Sequence, residues 1–425
     1  MNDNRYIEHI DGYIPALDGV RGWSIVMVLL CHAFTDPLFG HIQTESASEL
    51  SRIEYIFRHL IAYCSLGVDF FFVLSGFLIT GILLKALHSR RYFTNFYARR
   101  ILRISPLYYL YISVIFFLVP FFVNNVRGEI PSYYYISYYC YLQNFWNDIN
   151  SNGLLQHLLG HLWSLAVEEH FYLVWPLIVW GCVLSNSGGT EATSDRGKGL
   201  RRLRSVTIFL LLFTMFFRSA VLVFSDIELI RVGSWTFCRM DSILVGALLA
   251  ICLRSQLRPW LEKWRLQLLF AAVVLCLTVI IIDATFVFKE SPATNTFGYT
   301  LFAVMFAAVI NVILFLPRGH LFLTVFDNKV FRLYGKHSYA IYIFHPLVNT
   351  IVWIKLLEQY QWEYFPASIS YFILSINGSL LVSWVLWHLF EKHFLRLKRF
   401  FCKEVVGTEQ LRPKDVVPSV DKSGR

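Results

Sequence analysis

An arginine and a histidine lie eleven positions apart in the first apolar run of the sequence, RGWSIVMVLLCH, from Arg21 to His32. On a helix turning about 100° per residue, that spacing is three turns plus about 20°. Both side chains then project from one face, roughly 16 Å apart along the axis. Asp18, one turn before Arg21, is placed to pair with it. A histidine is partly neutral near pH 7 and can take a proton from a hydroxyl. Taken singly, the two residues have plainer readings, a snorkelling arginine and an interfacial histidine. Their common stripe with Asp18 points instead to a polar path through an apolar layer.

Other residues carry chemistry of the same kind. Arg100 and Arg103, in YARRILRI, share a helical face at i, i+3 and can grip phosphate groups; ordinary flanking charge is the alternative. HLWSLAVEEH places Glu168 and Glu169 in an apolar run, where a charge costs at least about 2.5–3.5 kcal/mol. Adjacent residues diverge by about 100°, so only one can face a small site. Glu168, on a stripe with His161, Ser164 and Trp175, is the choice. It would orient His32 or bind an acceptor, with a structural pairing to Arg218 or Arg239 as the alternative. Asp69 opens GVDFFFVLSGFLIT, and Ser75 lies near its middle beside Gly76, where close helix packing is the competing reading. Arg239 and Asp241 are acceptor-site candidates or members of a structural ion-pair network. Trp163 and His345 complete the channel set, His345 being equally readable as a buried histidine at a proline kink. HExxH and Cys/His metal spacings are absent, so no metal site is expected.

The elements that must position these groups are membrane helices. Of 425 residues 56% are hydrophobic and 16% charged, with 38 Phe and 12 Trp, more apolar surface than a soluble domain needs. Ten runs reach spanning length, about 20 residues: 20–36, 64–87, 102–123, 160–183, 206–224, 236–254, 267–286, 297–316, 338–357 and 367–390. With the N-terminus inside, 30 of the 38 Lys and Arg residues fall on inner segments, counting Arg21, Lys85, Arg103 and Arg254 at the inner ends of their helices. Arg52, Arg58, Arg127, Arg231 and Lys289 fall outside, and Arg218, Arg239 and Lys355 lie within helices. The charge of +9 is therefore a topology signal and not a nucleic-acid surface. Both termini are expected in the cytoplasm. The expected organisation is a polar N-terminal segment over 1–15, a membrane domain over 16–398 and a disordered tail over 399–425, with no cleaved leader. The loop from Ser185 to Arg204 reads as a linker that turns basic. The cysteines read as apolar core residues, a Cys64–Cys140 pair being the remote alternative. The aromatic run from Pro131 to Trp146 reads as an interfacial belt or a sugar-stacking surface.

In order along the chain, YIPALDGVRGWSIVMVLLCH, GVDFFFVLSGFLITGILL, ARRILRISPLYYL, HLWSLAVEEHFYLVWPL, RMDSILVGALLA, YGKHSYAIYIFHPL and FEKHFLRL resemble the acyltransferase-3 family of integral-membrane O-acyltransferases. The resemblance runs from about Ile14 to Arg396. It implies an all-α fold of about ten helices around a central polar tunnel. The implied activity is transfer of an acyl group, acetyl by default, from cytoplasmic acyl-CoA to a hydroxyl of a carbohydrate or glycolipid at the outer face of the inner membrane. Acyl-CoA is a co-substrate, and no bound cofactor is implied. The family's Arg-x10-His pattern corresponds to Arg21 and His32, and its Arg-x-x-Arg pattern to Arg100 and Arg103. His32 is then the general base of a direct transfer, Arg100 and Arg103 hold the CoA phosphates, and Ser75 lines the acyl channel, with a covalent acyl-Ser75 as the lesser route. The chain is expected to lack the fused esterase-like domain of some relatives. A transporter or flippase would also explain many spans and intramembrane charges. Paired arginines at the inner mouth and the absence of repeats favour the enzyme, and a structural scaffold accounts poorly for the buried acids.

Overall fold

A computed structural model describes residues 5–35, 60–122, 130, 132–146, 153–184, 192–225, 232–285, 294–352 and 364–401. Its long helices are α1 Pro15–Thr35, α2 Gly67–Ala86, α3 Tyr92–Ser113, α4 Trp163–Leu184, α5 Ala192–Phe224, α6 Thr236–Leu253, α7 Arg265–Thr285, α8 Tyr299–Phe315, α9 Lys329–Val352 and α10 Tyr364–Leu386. Among the described residues no strand forms beyond a single bridge between Arg5 and Pro317. Nine helical stretches among the described residues are long and apolar enough to cross a membrane. Outward-facing Leu173, Phe209, Phe216, Phe270 and Leu381 are largely exposed, as side chains solvated by lipid would be. The protein has an all-α, multi-span membrane fold.

The remaining long helix, α9, falls short on apolarity because it carries Lys329, Arg332, Lys336, His337 and His345. It is nonetheless packed along α1. A Cβ at Gly19 would meet the Phe326 carbonyl just before α9, one at Gly22 that of Phe331, and one at Gly335 that of Asp18. A second close crossing joins α2 to α6, where Gly76 faces the Ile243 carbonyl and Gly246 the Val73 carbonyl. Glycine is required at these points because the two backbones touch, as in membrane helix pairs generally.

Some helices begin well before their apolar runs. The run at 102–123 predicts a helix start past Arg100, but α3 begins at Tyr92. Its first turns are amphipathic, with Tyr92 and Phe96 buried, so Arg100 lies two turns inside the helix. The basic loop ending at Arg204 is likewise corrected, because α5 starts at Ala192 and carries Arg201, Arg202 and Arg204 on its first turns. Beyond α10 the chain stays helical through Trp387–Glu391, Lys392–Arg396 and Leu397–Phe401. Cys64 and Cys140 are not joined to each other, each being a free thiol. Arg52, Arg58, Arg127, Arg231, Lys289, Lys355 and the tail from Cys402 lie outside the described residues.

The N-terminal segment is tied to the bundle through side chains. Arg5 pairs with Glu262, Glu8 with Arg258 at 3.0 Å and Asp11 with Arg254 at 2.6 Å. Tyr6 donates to Asp327 at 2.8 Å, and burial followed by that carboxylate pushes its phenol up to about 12.

Candidate active site

A cavity of about 420 Å³ opens between the N-terminal segment and helices α1, α2, α3, α4 and α9. Along α2 its lining extends from Ile82 to Val68, about 21 Å of helix at 1.5 Å per residue. One end is basic. Arg21 pairs with Asp18 at 2.8 Å, and Tyr13 donates to the same carboxylate at 2.7 Å. Arg100 and Arg103 line the same end. Arg100 lies over the ring of Tyr172 at 5.5 Å and near that of Phe96 at 5.9 Å. Neither Arg100 nor Arg103 forms an ion pair with any described acid. Two guanidiniums brought together with no direct ion pair to either repel each other, and a polyanion relieves that repulsion.

The middle of the cavity is polar on two sides. Ser75 and Tyr172 share a hydrogen bond of 2.5 Å, and Glu168 faces Ser75, Arg100, Tyr172 and Arg21. Glu168 thus shares the wall that carries Arg21 and Arg100. Its sequence alternative, a pairing with Arg218 or Arg239, is not what forms: those arginines are taken by Asp241 and Asp69. Glu169, about 100° away on the helix, does not line the cavity and lies toward Tyr109, Tyr141 and Tyr339.

At its far end the cavity reaches Ser164 and Tyr342, whose hydroxyls are 2.6 Å apart. Past them lies a group of histidine rings. Tyr342 is 5.4 Å from His161 and 5.8 Å from His345, centroid to centroid. His345 is 5.1 Å from His32 and 5.2 Å from His161. Arg21 and His32 therefore stand at opposite ends of one line of polar groups, Arg21 within the cavity lining and His32 behind its far wall. No group of three or more His, Cys, Asp or Glu among the described residues is placed to hold a metal ion.

Asp69, Arg239 and Asp241 lie apart from that lining. Arg239 donates to both oxygens of Asp69 at 2.9 Å, and Ser242 donates to Asp69 at 2.7 Å. Asp241 accepts from Arg218 at 2.8 Å and from Thr300 at 2.6 Å. Tyr299 roofs Arg239 with its ring centroid 3.7 Å from the guanidinium carbon. Trp163 joins this cluster to the cavity: its ring is 5.5 Å from the same carbon and packs edge-on against Phe72 of the cavity wall. This arrangement welds α2, α5, α6 and α8 together.

A model of the family described as an acyltransferase domain, Acyl_transf_3, matches residues 14–388. The chain belongs to that family. It is 28% identical over 353 residues to the peptidoglycan O-acetyltransferase OatA of Listeria monocytogenes, covering 80% of this chain and 50% of the relative. It is 23% identical over 350 residues to the O-acetyltransferase OatA of Staphylococcus aureus, covering 79% of this chain and 51% of the relative. The chain thus spans about half the length of the curated relatives it matches. No solved structure matches it.

Sequence reasoning missed Tyr172, Tyr342, His161 and Ser164 as members of the line between the arginines and His32. His161, Ser164 and Glu168 were already one stripe by spacing, and Tyr172 is one further turn along it. Tyr342 had a weaker signal, three residues before His345 on the same helix. The Ser75–Tyr172 contact links residues 97 apart and has no local signature.

Proposed function

We propose that the chain is a membrane O-acetyltransferase that uses acetyl-CoA to modify peptidoglycan or a related envelope glycan on the far side of the membrane. The observation that carries this reading is the polar line itself, in a chain of the acyltransferase family. It starts at unpaired Arg100 and Arg103, follows Tyr172, Ser75 and Glu168, and ends at Tyr342, His345 and His32. The names of the OatA relatives supply the acetyl group and the glycan class.

In this reading the CoA phosphates sit on Arg100 and Arg103 at the cytoplasmic mouth, where charge-assisted bonds to guanidinium are strong and directional. The pantetheine arm follows the cavity past Ser75 and Glu168, bringing the thioester carbonyl toward Tyr342 and His32. His32 takes the proton of the acceptor hydroxyl as its oxygen attacks that carbonyl. The tetrahedral intermediate then expels the CoA thiolate, which receives the proton back from His32. General-base assistance of this kind contributes roughly 10²–10⁴-fold. The test uses purified full-length chain, radiolabelled acetyl-CoA and peptidoglycan fragments. Label should move to the glycan with the intact chain and not with His32→Ala. Normal turnover by folded His32→Ala overturns the base assignment. Movement of unmodified solute without label transfer would instead identify a transporter.

A further inference from the structure

The last described turns of the chain, Leu397–Phe401, pack against α3. Arg99 fastens them, its Nη2 donating to the Phe401 carbonyl at 3.2 Å. Three residues before Phe401, half-buried Lys398 lies close to Arg103, Arg100 and Arg99. The segment thus brings a further cation up to the arginine pair that lines the basic end of the cavity. Glu391 is near Arg103 and Lys398, while Glu168 lies toward Arg100. Proximity is not pairing here. Among the described residues the side chains of Arg100, Arg103 and Lys398 form no ion pair and no hydrogen bond. Their N–H groups are therefore all left to an anionic ligand, and gathering them costs repulsion that such a ligand would relieve.

Resting on the reading of acetyl-CoA as donor, we infer that Lys398 is a specificity residue of the donor site, its ammonium holding the 3′-phosphate of the nucleotide while Arg100 and Arg103 hold the pyrophosphate. Arg100 and Arg103 belong to the cavity lining and Lys398 does not, so the lysine stands outside the pair, where a second phosphate group would project. A phosphomonoester carries nearly two negative charges at pH 7. A lysine meets it as a compact point charge with three rotatable donors, whereas the guanidinium forks suit the pyrophosphate oxygens. The phosphate of an inner-leaflet phospholipid shares this chemistry. Continuity with the two cavity-lining arginines favours the nucleotide, whose pantetheine arm must enter that same cavity. Arg99 then acts through the backbone, keeping the lysine over the mouth by its bond to Phe401.

The experiment compares binding of CoA and of dephospho-CoA, which lacks only the 3′-phosphate, to the purified full-length chain in detergent by calorimetry. Parent, Lys398→Gln and Lys398→Arg are each checked for a monodisperse folded peak. The parent should prefer CoA roughly tenfold, the value of one charge-assisted bond. Lys398→Gln should lose that preference by weakening CoA alone, and Lys398→Arg should keep most of it. A parent that binds both ligands equally would overturn the inference and leave the acetyl-CoA reading standing. So would a Lys398→Gln chain that keeps the preference, or one that weakens both ligands equally, which is the mark of a merely structural lysine. Phosphatidylglycerol retained through purification is measured alongside. Its loss in Lys398→Gln with CoA binding unmoved would assign the lysine to a lipid headgroup and overturn the nucleotide assignment. A folded parent that binds neither CoA nor dephospho-CoA would remove the donor reading and the inference together.

Discussion

Removing the carboxylate of Asp69 should strand a charge. Asp69 and Arg239 are 1% and 3% exposed, and the only acid within 4.0 Å of the guanidinium among the described residues is Asp69. The contact uses one nitrogen, Nη2, for both oxygens; Nε and Nη1 have no hydrogen-bond partner and lie under the ring of Tyr299. With Asp69→Ala the arginine would retain the ring faces of Tyr299 and Trp163, a cation–π contact being worth about 2 kcal/mol when desolvated. Breaking a buried pair from one side typically costs about 3–5 kcal/mol, whereas replacing both partners by apolar groups of similar volume is close to neutral. Asp69→Ala should therefore melt well below the parent in detergent. Asp69→Leu/Arg239→Met should recover most of the loss and, because neither side chain lines the cavity, retain acetyl transfer. Thermal unfolding followed by fluorescence-detected size exclusion reads the first outcome, and label transfer the second. A single variant as stable as the parent would refute the energetic argument. A stable but inactive double variant would refute the assignment of this cluster to the scaffold.

Two further outcomes follow from the geometry. Gly76→Ala drives a Cβ into the Ile243 carbonyl, and backbone cannot swing aside as a side chain can. A loss of at least about 1–3 kcal/mol is expected from overpacking, read as a lowered melting temperature, whereas Gly181→Ala, which meets nothing within 4 Å, should be neutral. Arg103→Gln should raise KM for acetyl-CoA roughly tenfold or more, the value of one charge-assisted bond, while leaving KM for the glycan unchanged; equal effects on both substrates would remove the phosphate assignment.

What the sequence made legible were the features governed by local rules. Apolar length located the membrane helices, and the 3.6-residue period put Arg21 and His32 on one face and separated Glu168 from Glu169. The early start of α3 was obscured because Tyr92–Ile101 is amphipathic, so apolar length undercounts a helix whose first turns are part polar. Pairing choices were illegible for a different reason. Asp69 meets Arg239 across 170 positions, and nothing in a single sequence says which of several buried acids a given arginine will meet.

The strap from Arg5 to Tyr13 sets an order of assembly. Ile10, Gly12 and Tyr13 form part of the cavity wall, yet the strap is fastened by groups that come far later in the chain: Arg254 is 243 positions beyond Asp11, and Asp327 is 321 beyond Tyr6. During biosynthesis the first turns of polypeptide must wait, undocked, until most of the bundle has entered the bilayer. A half-made molecule has its arginines but not the wall opposite them, so the cavity closes into shape only as translation nears completion.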